Sequence, residues 1–360
     1  MPLRITRVTL QDFRSYKSFV IEPDEKLTVV VGPNATGKTN IIEAIQLLTA
    51  TSSFRNPAWA ECVHWGAEQA FVALEAEGGG RKLETRLSLS TTGRRVYTVN
   101  GTTKRRLSDV AGLLPSVVFT PDDLRMVKDS AERRRAAIDG VGDQLSTAYL
   151  ALRAEYEKIV RQRNALLKTA DLDPGTLEVL TQRLVDRGTA FSAHRKRLFT
   201  RLSDRLEKVY FELVPQESLE ARYESSWVKR GESENGDGSF EGALEKARGE
   251  ETARGTTAVG PHRDEIVFLV NGRDARAYAS QGQQRTIALA WKLAEISVIQ
   301  DVGGQPPVLL LDDVMSELDE ERRHALTSFV GEAAQTIVTT TNIGYFEQSM
   351  LDRAKLVRLQ

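Results

Sequence analysis

Gly32-Pro33-Asn34-Ala35-Thr36-Gly37-Lys38-Thr39 is the stretch that decides how this chain of 360 residues is read. The spacing G-x-x-x-x-G-K-T has a physical reason. The glycines let backbone N–H groups turn inward around phosphates, and the helix that follows adds the positive end of its dipole. Lys38 is the candidate contact to the β- and γ-phosphates of ATP, and the Thr39 hydroxyl the candidate ligand to Mg²⁺. The flanks agree with this reading. Leu27–Val31 is a β-branched run, as a buried strand would be, and residues 40–48 read as the helix that the loop opens. Gly32, Pro33, Asn34, Ala35, Thr36, Gly37, Lys38, Thr39 and Asn40 are therefore the nucleotide-binding candidates.

The partner of this loop lies near the other end of the chain. Leu309-Leu310-Leu311-Asp312-Asp313 places two carboxylates at the C-terminal end of an apolar strand, where ligands bind in doubly wound sheets. Asp312 is the candidate Mg²⁺ ligand, and Asp313 the group that would polarise an attacking water. Ser316-Glu317-Leu318-Asp319 follows as a turn beside the site, with Asp319 a further candidate on the nucleotide side. Upstream, Ser280-Gln281-Gly282-Gln283-Gln284-Arg285 opens an apolar-periodic helix. Ser280 suits its N-cap, and Gly282 allows close backbone approach to an anion.

Composition bounds the class. With 41% hydrophobic and 28% charged residues and a net charge of −1, the chain has the balance of a globular protein and not of a basic nucleic-acid coat. Cys62 is the only cysteine, so no intrachain disulfide is possible. The first ten residues alternate charged and apolar types and lack the apolar run of a signal peptide. No stretch approaches the ~20 apolar residues of a membrane span. The expectation is a soluble, cytoplasmic protein with no membrane partner.

The chain reads as α/β with two lobes. Residues 1–120 form a first lobe holding the phosphate loop and antiparallel strands at 70–77, 83–90 and 94–99, with Asn100-Gly101 as a hairpin turn. Residues 121–279 form a mainly helical second lobe. Within it, helical periodicity over 131–168 and 176–214 predicts an antiparallel hairpin, with Arg163 in the one polar slot of its stripe. Residues 229–239 read as a polar, glycine-rich loop. Residues 280–360 carry the signature helix, the aspartate strand and the return to the first lobe.

In that order, the phosphate loop, serine-containing signature, aspartate-rich strand and Ser-x-Leu-Asp turn resemble the ATP-binding-cassette ATPases. Ala279 and Gln281 depart from the usual signature. Three further segments narrow the resemblance: Leu10-Gln11-Asp12-Phe13-Arg14-Ser15-Tyr16, Phe119-Thr120-Pro121-Asp122-Asp123-Leu124 with Glu132-Arg133-Arg134-Arg135, and Gly260-Pro261-His262-Arg263-Asp264. Over essentially the whole chain these are similar to the RecF family, recombination mediators among the SMC-like ATPases. The resemblance implies a two-lobed, ABC-type P-loop fold like an SMC head. It implies an ATP-dependent homodimer acting on DNA at single-strand gaps or double-strand/single-strand junctions. RecR and RecO would be partners in loading the recombinase RecA. It also implies that Ser280 and Gly282 of one subunit touch the γ-phosphate held by Lys38 of the other, and that Arg14 lies near the nucleotide. Asp313 stands where transporter cassettes carry Glu, and Thr339-Thr340-Thr341-Asn342 where they carry His. The expected enzyme is a slow, DNA-dependent ATPase in which ATP acts chiefly as a dimerisation switch.

Arg94, Arg95, Lys104, Arg105 and Arg106 form a basic stretch that suits DNA phosphate contact or, equally, a solvated strand face. Arg133-Arg134-Arg135 and Arg195-Lys196-Arg197 pose the same choice. The histidines are scattered and show no metal spacing, and His262 reads as structural or as an interface residue. Two other classes compete: the nucleotide-binding subunit of a membrane transporter, and a simple P-loop kinase. The hairpin at 131–214 and the basic strand region disfavour the first. The signature segment disfavours the second.

Overall fold

The computed structural model describes residues 2–169, 173–228, 239–332 and 335–360; the polar run at 229–238 and residues 170–172 of the hairpin connection lie outside these. The chain divides into two compact units, one of Met1–Arg125 with Arg285–Gln360 and one of Met126–Gln284.

The first unit holds two sheets. Strands β1 (Arg4–Phe13), β2 (Tyr16–Ile21), β4 (Gln69–Gly78), β5 (Arg81–Ser90), β6 (Arg95–Val99) and β7 (Thr102–Lys104) make an antiparallel sheet in the order β2-β1-β4-β5-β6-β7. Asn100 and Gly101 both have positive φ, as a two-residue hairpin between β6 and β7 demands. The second sheet is parallel, in the order β14-β3-β13-β12-β8, from β3 (Leu27–Val31), β8 (Ser116–Phe119), β12 (Val308–Asp312), β13 (Gln335–Thr340) and β14 (Lys355–Arg358).

Helix α1 (Lys38–Thr49) packs against both sheets. It is apolar on nearly every face because it has no solvent side: Ile41, Ile42, Ile45 and Leu47 are fully buried in one core with Val8, Leu10, Leu74 and Leu87 of the first sheet and Leu310 and Ile337 of the second. One buried side chain clasps the sheets together. The Gln335 amide accepts from Ile5 N (2.8 Å) and donates to Ile5 O (2.9 Å) and Asp24 O (2.8 Å). It does so where the β1–β4 register slips at Ile5/Arg7, so it satisfies backbone groups that the ladder leaves over. Helix α8 (Glu320–Glu332) links β12 to β13, and the one-turn α9 (Gln348–Leu351) precedes β14.

The second unit is built on α2 (Ala131–Leu145), α3 (Thr147–Leu167), α4 (Pro174–Leu213), α5 (Phe240–Arg254) and α6 (Ala275–Tyr278), with a small antiparallel sheet of β9 (Leu219–Glu224), β10 (Glu265–Val270) and β11 (Arg273–Asp274). The sequence predicts one helix over 131–168, whereas the structure has two. Ser146 adopts an extended backbone (φ −149°, ψ 116°), ends α2 and caps α3 by accepting from Tyr149 N at 3.2 Å. The hairpin is formed by α3 and α4, whose contacts run in opposite directions: Arg163 to Thr181, and Tyr149 to Phe191. The polar slot in its stripe is a buried ion pair. Arg163 binds Glu251 of α5 at 2.6 Å and donates to Thr257 and Thr181. Helix α7 (Gln281–Gly303) begins in this unit and continues into the first. Among the described residues, no helix is long and apolar enough to cross a membrane.

Two arginine clusters considered for DNA contact are largely structural. Arg134 is buried, donates twice to Glu265 and reaches the carbonyls of Met126, Val127 and Asp129. Arg195 is buried, paired twice with Asp139, and donates to Pro261 O. Burial without such partners would cost several kcal/mol, so these charges are folding elements.

His262 is held the same way. Its ring nitrogens meet the Tyr156 hydroxyl (2.6 Å) and Thr257 O (3.2 Å), which suits a neutral ring, and burial lowers its pKa to about 4. A histidine depressed below its unfolded value stabilises fully above pH ~6.5 and loses that contribution as pH falls towards 4, here about 3 kcal/mol. Asp143, pushed up to about 6 by burial against the pull of Arg153, works in the opposite sense below pH 6. The His262 effect is therefore read as a difference. His262→Gln should show a shallower fall in stability between pH 6.5 and 4 than the parent, and parallel curves would mean the folded ring is already charged.

Candidate functional site

The phosphate loop begins where β3 ends. Gly32 N donates to Thr340 O (3.3 Å) of the neighbouring strand, which fixes the loop's first residue, and a Cβ on Gly32 would come within 2.9 Å of Leu359 O. Ala35 (φ 67°) and Gly37 (φ 92°) are left-handed, which bends the loop into a cradle. A Cβ on Gly37 would strike the side chains of Ser15 and Tyr16 at 2.7–2.9 Å. No side chain caps α1, so the N–H groups of its first turn have no intrahelical acceptor and face the loop. Lys38 is buried and spans the loop, its Nζ donating to Gly32 O (2.8 Å) and Pro33 O (2.7 Å). Pro33, Asn34 and Ala35 form the exposed rim, and Thr36 closes the turn by donating to Pro33 O at 2.9 Å.

The aspartate strand meets the loop. Thr39 hydrogen-bonds Asp312, and Asp312 Oδ1 also accepts from Thr339 Oγ1 at 2.7 Å. Burial pushes the Asp312 carboxyl above its ordinary value, against those two hydrogen bonds and the charge of Arg55. A cation beside it would reverse that balance. Among the described residues no three carboxylate, histidine or cysteine side chains converge as a metal cage. A hydroxyl and one carboxylate suit Mg²⁺, which takes few protein ligands and completes its shell with phosphates and water.

Asp313 follows in the left-handed region (φ 51°, ψ 18°). Its N–H donates to Thr339 O (3.0 Å) and Thr339 Oγ1 (3.1 Å), and its Oδ1 accepts from Thr341 N (3.3 Å). The Thr339-Thr340-Thr341-Asn342 segment thus supports both carboxylates and the start of the phosphate loop. Sequence reasoning left Thr339 without a role; a buried threonine beside an aspartate in a parallel pair was the available signal.

Arg14 is committed to α1. It donates to both oxygens of Glu43 (3.0 and 2.8 Å) and to Glu61 O (2.9 Å). Burial opposes its charge, but Glu43 outweighs that and holds its pKa above the ordinary value. Glu43 is the one acid inside the buried helix, and it also accepts from Ser53 (2.7 Å) and Arg55 (3.3 Å). Arg55 in turn binds Asn40 Oδ1 (2.8 Å), and Asn40 donates to Ser15 (2.9 Å). This hub one turn beyond the loop was not legible from the sequence.

Asp319 pairs with Arg322, which also donates to Thr286 of α7 (2.9 Å). In the second unit, the signature segment is a capping box. Gln283 N donates to Ser280 Oγ (3.2 Å) and Gln283 Oε1 accepts from Ser280 N (2.8 Å). The Ser280 hydroxyl acts here as acceptor, so its proton can still be donated. Gln283 Nε2 is anchored on Glu217 (2.8 Å).

The basic stretch lies at one edge of the first sheet. Arg94 and Arg95 sit where β6 begins, and Lys104, Arg105 and Arg106 on and after the edge strand β7. Arg95 stacks on Trp59 at 4.5 Å, while Arg94, Arg105 and Arg106 are exposed. Charges on an edge strand also deter edge-to-edge pairing.

Comparison with known proteins agrees with this architecture. The family described as RecF/RecN/SMC N terminal domain matches residues 4–359. The chain is 39% identical to the DNA replication and repair protein RecF of Halalkalibacterium halodurans, over 99% of this chain and 98% of that one. It is 38% identical to RecF of a Synechococcus strain, over 97% and 94%. A solved structure of the recombination mediator protein RecF-ATP in the RecFOR pathway superposes with a TM-score of 0.88 at 30% identity, covering 96% of this chain and 94% of that one. An Smc head domain from Pyrococcus furiosus shares the fold, with a TM-score of 0.53 at 17% identity. On the identity and the near-complete coverage, the chain belongs to the RecF family of DNA replication and repair proteins.

Proposed function

We propose that the protein is an ATP-dependent DNA-binding protein of recombinational repair. It closes as a dimer on ATP and DNA at single-strand gaps or junctions, and helps to load the recombinase together with RecR and RecO. The observation that carries this reading is the meeting of Thr39 and Asp312 beside an uncapped phosphate loop in a RecF-family chain. Lys38 neutralises the β- and γ-phosphates, Thr39 and Asp312 hold Mg²⁺, and Asp313 orients the water. Arg14, through Glu43, and Asn40 brace the helix that carries the loop. Asp319 lies in the turn beside the site. Ser280 and Gly282 complete the site of a second subunit, which makes ATP a dimerisation switch and hydrolysis slow and DNA-dependent. The solved relative described as RecF-ATP supports the nucleotide. The exposed Arg94, Arg105 and Arg106, with Lys104, are the DNA phosphate contacts. No observation favours a transporter subunit or a kinase.

Sedimentation with Mg²⁺-ATP and gapped DNA tests this. The wild type should pass from monomer to dimer, and Ser280→Arg should stay monomeric while still binding ATP. Loss of the Ser280 cap costs only about 1 kcal/mol, and Ser280→Ala controls for it. Charge reversal at Arg94, Lys104, Arg105 and Arg106 should flatten the salt dependence of DNA binding in the same assay. A wild type that ignores ATP and DNA, or a Ser280→Arg variant that dimerises normally, would overturn the reading.

A further inference from the structure

The short helix α6 that leads into the signature segment presents an aromatic side chain to solvent. Tyr278 is 74% exposed, two residues before Ser280. Its backbone is held on several sides. Asp274 Oδ1 caps α6 by accepting from Arg276 N (2.8 Å), and Lys128 Nζ donates to Arg276 O (2.5 Å). Ala279 N donates to Ala275 O (3.1 Å), and Gln284 Nε2 donates to Ala279 O (2.7 Å). An aromatic ring carried on a pinned turn loses little freedom on binding, which is the property of an interface anchor.

The charge around it points to the kind of partner. Arg273 and Arg276 are exposed, and neither has an acidic partner among the described residues. The one neighbouring acid, Asp274, uses its carboxylate as a cap. A basic and aromatic ledge next to an anion-suited helix start is complementary to a polyanion framed by small apolar groups. The phosphate loop offers that combination, with Pro33 and Ala35 on its exposed rim around the place for a triphosphate.

We propose that the ledge formed by Arg276 and Tyr278 docks on the phosphate loop of a second copy of this chain when that loop holds ATP. Tyr278 packs on the rim at Pro33 and Ala35 and excludes water, and Arg276 faces the triphosphate. This extends the trans contact beyond Ser280 and Gly282, and it rests on the reading of ATP as a dimerisation switch.

The test compares wild type, Tyr278→Ala, Tyr278→Phe, Arg276→Glu and Ser280→Arg by sedimentation velocity with Mg²⁺-ATP and gapped DNA. ATP affinity is measured separately at concentrations below dimerisation. Tyr278→Ala should weaken the ATP-dependent dimer by about 30-fold, the effect of truncating an interface anchor, with ATP affinity of the monomer within about twofold of wild type. Tyr278→Phe should dimerise like wild type, because the ring and not the hydroxyl makes the contact. Arg276→Glu should weaken the dimer by at least as much as Tyr278→Ala. Unchanged melting temperatures are expected, since these side chains pack on little of their own chain. If Tyr278→Ala and Arg276→Glu dimerise normally while Ser280→Arg does not, the ledge is refuted and the switch stands. If Ser280→Arg also dimerises normally, the switch itself falls. If Tyr278→Ala loses ATP affinity in the monomer, the residue serves its own site and the proposal fails.

Discussion

Asp312→Asn is expected to lower ATP turnover about a thousandfold or more, a loss of several kcal/mol of metal-assisted charge stabilisation, while leaving stability without nucleotide nearly unchanged. The two halves of that expectation come from one geometry. Asn keeps the shape and the oxygen that accepts from Thr339 and Thr39, so the strand and loop stay joined. What it removes is a buried negative charge, and burial already disfavours that charge. The carboxylate therefore contributes little to folding alone and acts through the cation it attracts. Turnover against Mg²⁺ concentration, read beside thermal melting, checks both halves. Turnover within tenfold of wild type would remove Asp312 as the metal ligand, and a large fall in melting temperature would make it a structural residue.

Gln335→Leu is expected to destabilise the protein by roughly 4 kcal/mol, though Leu is apolar, similar in volume, and placed in a core. Three backbone groups would lose their partner: Ile5 N, Ile5 O and Asp24 O. Each buried group left unpaired costs about 1–3 kcal/mol, and water has no path to replace the amide. Urea unfolding of wild type, Gln335→Leu and Gln335→Glu measures the loss. Glu keeps one acceptor and no donor, so it should not rescue. A change below about 1 kcal/mol would show that the β1 slip repairs itself.

The parts of the fold legible in the sequence are those fixed by short-range chemistry. The phosphate loop, β3, β12 and the start of α7 announce themselves through glycine spacing, apolar runs and an N-cap serine, and each stands where it was read. The hairpin turns at Asn100-Gly101 and Asn271-Gly272 were equally plain, because few residues accept positive φ at both positions. Burial of charge was not legible. Arg134, Arg163 and Arg195 look in the sequence like any surface arginine, and their partners Glu265, Glu251 and Asp139 lie 131, 88 and 56 residues away. Short or polar elements such as β2, β9, β14 and α5 also carried too weak a period to be found. Within the candidate site, motif residues could be named, but the hub at Glu43 and the support from Thr339 could not. They depend on which strands become neighbours.

The left-handed backbone at Asp313 sets what this position can become. Asp and Asn tolerate that region through short side chains that bond locally, whereas longer residues resist it by about 1 kcal/mol or more. The longer carboxylate of transporter cassettes is thus the substitution that chemistry would welcome and conformation opposes. Asn is its mirror image, welcome to the backbone and useless as a base. Sequence drift at this site is therefore channelled between a slow catalyst and a silent one, and a route to a faster enzyme has to begin by reshaping the turn that follows β12 before it touches residue 313.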